Sequence, residues 1–222
     1  MKETLTIEQL QICAKEFCTI EDGKYRTEYF GVTDGKAVGT IVEHLFKDFL
    51  SERFNLTIGN TANGLDLPSV ATDIKVTSIK QPQSSCPYKD SKQKIYGLGY
   101  NLIVFVYHKE DDEQLRKGKL NFLSCTFIDA VRTGDYQTTT GLQQIIANNG
   151  NADDIFAFLT DHKIPADEVT LMNMSKDILA NPPMTGYLTI SNALQWRLQY
   201  GRIVNMKEDI EGITSIIKYD GE

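Results

Sequence analysis

Residues 64–79 read Gly-Leu-Asp-Leu-Pro-Ser-Val-Ala-Thr-Asp-Ile-Lys-Val-Thr-Ser-Ile, and the fold is decided by how this stretch is folded. Two short β-prone segments, 64–68 and 71–79, flank a Pro-Ser break, which predicts a hairpin. Successive side chains of a strand point to opposite faces. Asp73, Lys75 and Thr77 therefore share one face, and Ile74 and Val76 share the other. The apolar face is expected to pack on a core, leaving two charged groups side by side at an edge. A tight connection from Pro68 to Ala71 would bring Asp66 beside Asp73.

The flanking sequence gives this hairpin its setting. Upstream, Val38, Ile41, Val42, Leu45, Phe46, Phe49 and Leu50 recur at helical spacing, so a helix is expected from about Lys36 to Phe54, capped by Asp34. An earlier amphipathic helix is expected at 5–18, and Leu56-Thr57-Ile58 is a candidate strand. Downstream, Gln81 to Pro87 reads as a loop and Lys89 to about Gly97 as a helix. The run Asn101 to Tyr107 is apolar on both faces, as a central buried strand should be. A strand is expected over 120–130, and helices around 138–148, 152–161 and 167–180. Tyr187 to Ile190 precedes a helix expected from about Ser191 to Tyr200. This order predicts an α/β fold, a mixed central sheet of about five strands flanked by helices, with extra C-terminal helices. No repeat or Pro/Gly-rich linker divides residues 1–222. A single domain is expected, its core at about 36–130 and its helical C-terminal part at about 131–222.

Composition narrows the function. The 222 residues are 41% hydrophobic and 24% charged, ordinary for a globular protein. No segment approaches the roughly 18 apolar residues of a membrane helix. The N-terminus, MKETLTIEQLQICAKEF, has no continuous apolar region of the kind a signal peptide needs. Cys13, Cys18, Cys86 and Cys125 show neither a C-x-x-C pair nor zinc spacing, so reduced thiols and a cytoplasmic location are expected. The net charge of -7 counts against a nucleic-acid partner. The charge is unevenly spread, however. Lys75 to Lys94 holds five lysines and one acid, and Arg197 to Lys207 holds two arginines, one lysine and no acid. A locally basic face on an acidic protein is compatible with this pattern.

Asp-x-Lys occurs five times, starting at Asp22, Asp34, Asp73, Asp90 and Asp161. Only Asp73-Ile74-Lys75 lies within a β-branched run. Neighbouring carboxylates at Asp66 and Asp73 would repel and raise one another's pKa, and a divalent cation relieves that repulsion. Hard oxygen donors without Cys or His select Mg²⁺, with Mn²⁺ able to substitute, over zinc. The metal would polarise a phosphodiester and acidify a water, and Lys75 would orient that water and offset developing charge. The bland alternative is a surface hairpin with an Asp73–Lys75 ion pair. His44, His108 and His162 are scattered. Gly97-Leu98-Gly99 lacks the Lys-Ser/Thr ending of a phosphate loop, so no nucleotide cofactor is expected.

Asp66-Leu67-Pro68, a short gap and then Asp73-Ile74-Lys75 resembles the PD-(D/E)xK nuclease superfamily, whose hairpin carries an acid followed by acid-x-lysine. Here the proline follows the first acid instead of preceding it, and the gap between the acids is short. The resemblance covers roughly residues 36–108 and implies a third acid on the preceding helix, a place Glu43 can fill. In size, and in lacking any helicase or ATPase motif, the chain is similar to a stand-alone type II restriction endonuclease. The resemblance implies a Mg²⁺-dependent, sequence-specific endonuclease of double-stranded DNA. A homodimer is expected, because two-fold symmetric DNA matches a two-fold protein.

The DNA contacts are expected from two places. Gln81, Gln83, Ser84 and Ser85 directly follow the strand of Asp73, and such side chains reach bases and phosphates. In the late helix, Asn192, Gln195, Gln199 and Arg202 would form one stripe, with Arg197 adding charge. Two other functions stay open at this point, a repair or recombination nuclease acting on structured DNA and a non-catalytic DNA-binding protein.

Overall fold

The computed structural model describes residues 2–56, 64–85, 87–190 and 197–221. In chain order its elements are α1 (Ile7–Glu21), α2 (Gly35–Ser51), β1 (Thr72–Ser78), β2 (Gln83–Ser85), α3 (Ser91–Tyr96), β3 (Asn101–Asp112), β4 (Lys117–Ile128), α4 (Tyr136–Ala147), α5 (Ala152–Asp161), α6 (Glu168–Ala180), β5 (Thr189–Ile190), β6 (Arg197–Gln199), α7 (Gly201–Val204) and β7 (Ile213–Ile217). They fall into two compact units. One comprises Met1–Ser84, Asn101–Ile128 and Val204–Glu222, and the other Ser85–Tyr100 and Asp129–Ile203.

The first unit is a mixed α/β layer structure. Its sheet has four strands in the order β1–β3–β4–β7, against the expected five or so. β1 runs parallel to β3, with Asp73 opposite Leu102 and Lys75 opposite Val104. β3 and β4, and β4 and β7, pair antiparallel. β3 is buried from Asn101 to Tyr107, as its two-sided apolar run requires. Both long helices start at caps written in the sequence. Thr6 and Gln9 form a reciprocal capping box on α1, and Asp34 accepts from the Lys36 N–H at 3.0 Å to open α2.

One core joins the helices to the sheet. The rings of Phe17, Phe46, Phe105 and Phe122 pack with centroids 5.0–6.2 Å apart, mostly edge to face. Val38, Val42 and Phe46 of α2 lie in the same cluster as Ile74 of β1. Gly39 of the helix faces Val76 of β1, with the space of an ordinary van der Waals contact between them. α2 is thereby fixed against the strand that carries Asp73 and Lys75.

The expected hairpin is reduced to a single bridge. Leu67 and Thr72 exchange both backbone hydrogen bonds, at 3.0 and 3.1 Å, around a one-turn 3₁₀ segment at Pro68–Val70. β1 takes its long-range partner from β3 instead. Leu56 is not in a strand, and the remainder of that candidate, residues 57–58, lies outside the described residues.

The second unit is built on helices. Ile95, Leu142, Ile155, Leu159, Leu171, Met174 and Ile178 form its core. α4, α5 and α6 occupy the three predicted positions, opened by Asp135, Asn151 and Asp167 as caps. The helix expected over 191–200 is overturned in its described part. Arg197–Gln199 is a strand paired antiparallel with Thr189–Ile190, with Leu198 opposite Ile190.

Replacing Phe105, which is fully buried at the centre of the aromatic cluster, by Ala should cost about 3–5 kcal/mol through lost transfer energy and cavity formation. The midpoint of urea unfolding checks this.

Candidate active site

The bridge between Leu67 and Thr72 sets the site. Extending its antiparallel register by one residue places Asp66 across from Asp73. Ala71 closes the turn in the left-handed region, at φ 45° and ψ 44°, a conformation that costs a non-glycine residue about 1–2 kcal/mol. Asn101 braces the turn, donating from its side-chain amide to the Val70 carbonyl at 3.2 Å.

Asp66 is held on several sides. Its Oδ2 accepts from the Ile74 N–H at 2.9 Å, and its Oδ1 from Lys47 Nζ at 2.6 Å. Lys47 lies on α2 and also reaches Glu43 Oε1 at 2.6 Å, one helical turn earlier. Asp73 lies two residues before Lys75 on the same strand face, and Lys75 Nζ meets its Oδ2 at 2.6 Å. Thr77, next along that face, accepts from the Gln83 N–H at 3.1 Å and so ties the following loop to β1.

The two carboxyl groups hydrogen-bond to each other, and this splits their titration. Burial pushes Asp73 up, the contact with Asp66 pushes it further, and the Lys75 ammonium only partly offsets them, so its pKa stands at about 6. Burial also pushes Asp66 up. There the hydrogen bonds from Asp73, Lys47 and the Ile74 N–H prevail and bring it down to about 2. Asp73 is only 7% exposed, so solvent does little to screen it. For Lys47, burial favours the neutral form, but the bonds to Asp66 and Glu43 outweigh it and raise the pKa.

The donor set suits a hard divalent cation. Asp66 and Asp73 set two interacting carboxyl groups side by side, and Glu43 shares the Lys47 ammonium with Asp66. Among the described residues no three His, Cys, Asp or Glu side chains converge to hold a metal ion. Two carboxylates are nevertheless enough for a Mg²⁺-type ion that takes its other oxygens from water and phosphate.

The structure thus brings together Asp66, Asp73, Lys75 and Glu43. The sequence did not single out Lys47, although its spacing of four from Glu43 was a signal for it. Gln81 lies on the segment after β1, and Gln83, Ser84 and Ser85 form β2. Of the proposed late stripe, Asn192 and Gln195 lie outside the described residues. Gln199 and Arg197 are on a strand and Arg202 is on the short α7, so no continuous helical stripe joins them. The Arg202 guanidinium stacks on the Tyr136 ring, 3.5 Å from its centroid. Among the described residues no helix is long and apolar enough to cross a membrane.

No solved structure matches the chain. The type II restriction enzyme NspV of Nostoc sp. (strain ATCC 29411 / PCC 7524) is 49% identical over 214 residues, covering 96% of this chain and 97% of that protein. The model of the family described as type II restriction enzyme NspV matches residues 4–215. With nearly its whole length matched in both comparisons, the chain belongs to the NspV family of type II restriction enzymes.

Proposed function

We propose that this site-specific deoxyribonuclease hydrolyses double-stranded DNA at the Asp66–Asp73–Lys75 centre, with Mg²⁺ held by the two carboxylates and Mn²⁺ able to replace it. The observation that carries this is the contact between two interacting carboxyl groups with a lysine ammonium 2.6 Å from one of them, all placed by β1 and its turn. When bound there, a divalent cation supplies a Lewis acid for the scissile phosphate and makes a water more acidic. Lys75 orients the attacking water and offsets the charge that builds on the phosphate. Asp66 is kept ionised and aimed by the Ile74 N–H. Glu43 supports the site from α2 through Lys47.

DNA recognition is assigned to Gln81, Gln83, Ser84 and Ser85, and to Arg197, Gln199 and Arg202, with Asn192 and Gln195 in the neighbouring sequence. Hydrogen bonds from such side chains to base edges and phosphates support specificity and register respectively. The enzyme is proposed to act as a homodimer on a two-fold symmetric site.

Purified protein incubated with plasmid DNA should give discrete fragments with Mg²⁺ and none without it. Asp73→Ala should abolish them, and cleavage that survives this change would place the centre elsewhere. Lys75→Ala should lower kcat by about 100- to 1000-fold while leaving DNA affinity in Ca²⁺ nearly unchanged, as read by single-turnover kinetics and gel shift.

The raised Asp73 value gives a pH signature. Its folded pKa of about 6 lies above the ordinary 3.8, so the fold binds this proton more tightly than the unfolded chain does. Its contribution to metal-free stability is therefore fullest below about pH 4 and is lost as pH rises through 6. Asp66 acts oppositely, and only as pH falls towards about 2. Between pH 4 and 6 Asp73→Asn should remove this downward component from the metal-free unfolding free energy. Mn²⁺ affinity should rise with pH through about 6, because the cation needs the ionised pair.

A further inference from the structure

Lys47 stands where a metal-binding site would gain least from it. Its ammonium is 2.6 Å from Asp66 Oδ1 and 2.6 Å from Glu43 Oε1. The other oxygen of Asp66 is committed to the Ile74 N–H at 2.9 Å, so Oδ1 is the oxygen left to face a cation. Lys47 comes from α2, which the Phe46 and Val42 packing fixes against β1, and its side chain is 30% exposed. The ammonium is therefore neither a stray surface group nor deeply locked. It has a solvent side to swing towards and a backbone that returns it to the same carboxylates.

Its charge matters more than its bonds. A divalent cation placed on Asp66 would sit within a few ångströms of a positive group held by the same oxygen, and like charges at that range repel strongly in a half-buried site. Lys75 differs, because it pairs with Asp73, two residues away on the same strand face.

We propose that Lys47 is an internal counter-cation that competes with the divalent ion for Asp66 and so holds down metal binding by the DNA-free enzyme. The inference rests on Asp66 and Asp73 being the metal ligands. In the metal-free chain Lys47 neutralises the carboxylates that would otherwise repel. When the ion binds, Lys47 gives up the Asp66 oxygen and keeps Glu43, its partner one turn away.

The test titrates Mn²⁺ into DNA-free protein by calorimetry and by loss of the free-ion electron paramagnetic resonance signal, and follows thermal unfolding with and without Mn²⁺. Lys47→Met should bind Mn²⁺ about tenfold or more tightly than the unaltered chain, and Lys47→Arg should not. Lys47→Met should also melt lower without metal and gain more from Mn²⁺. If Lys47→Met does not fold, Lys47→Gln carries the same comparison. Unchanged or weaker Mn²⁺ binding in the neutral variants would overturn the role of Lys47, whereas Asp73→Asn weakening Mn²⁺ binding of the unaltered chain would show that the metal site itself stands. If Asp73→Asn leaves Mn²⁺ binding untouched in every background, the site assignment and the Lys47 inference fall together.

Discussion

Two carboxylates held across one short turn are the constraint around which the first unit is organised. Asp66 and Asp73 would separate if the chain between them were free. The paired backbone bonds of Leu67 and Thr72 prevent that, and the left-handed Ala71 is the conformational cost of so short a connection. The charge that results has to be met locally. The Ile74 N–H, Lys47 and Lys75 each meet part of it, and burial makes each of these bonds stronger than it would be in water. The aromatic core under α2 and β3 has a corresponding task. It fixes the helix that carries Glu43 and Lys47 relative to the strand that carries Asp73 and Lys75, so side chains from two elements meet to within hydrogen-bond distance.

Much of this was legible in the chain because several signals agreed. Helix α2 combines an Asp cap with apolar spacing over four turns, and β3 combines length, β-branching and two-sided apolarity. The Asp73-Ile74-Lys75 alternation correctly put the charged pair on one face and Ile74 in the core. The family follows from residues distributed over almost the entire length, which a single motif could not have established.

Other features were decided by partners that local patterns cannot see. β1 reads as half of a hairpin, yet its hydrogen-bonding partner is β3, and only one residue pair of the hairpin remains. Gln199 stands at helical spacing from Asn192 and Gln195 in sequence, yet residues 197–199 are extended, because Leu198 pairs with Ile190 and is buried. β7 was not read at all. Its Ile-Thr-Ser-Ile-Ile lacks clean alternation, and its place depends on the exposed edge of β4. Lys47 is a subtler case: an (i, i+4) pair with Glu43 looks like ordinary helix-surface charge until the fold brings Asp66 to the same ammonium.

The position of β7 bears on how the chain acquires its structure. The sheet's fourth strand is separated in sequence from β4 by the bulk of the second unit, from Asp129 to Ile203. Pairs such as Ile128 with Ile213 close a loop far longer than those of the β3–β4 hairpin. The hairpin can form early, while the last ladder must wait until the chain has passed through the second unit to Ile213–Ile217. Contacts so distant in sequence slow folding, and in the interval the outer edge of β4 offers unpaired N–H and C=O groups to any passing strand. On a ribosome the sheet is therefore completed only after the second unit's residues are made, and the nascent chain passes through a period in which pairing with a neighbour competes with pairing with itself.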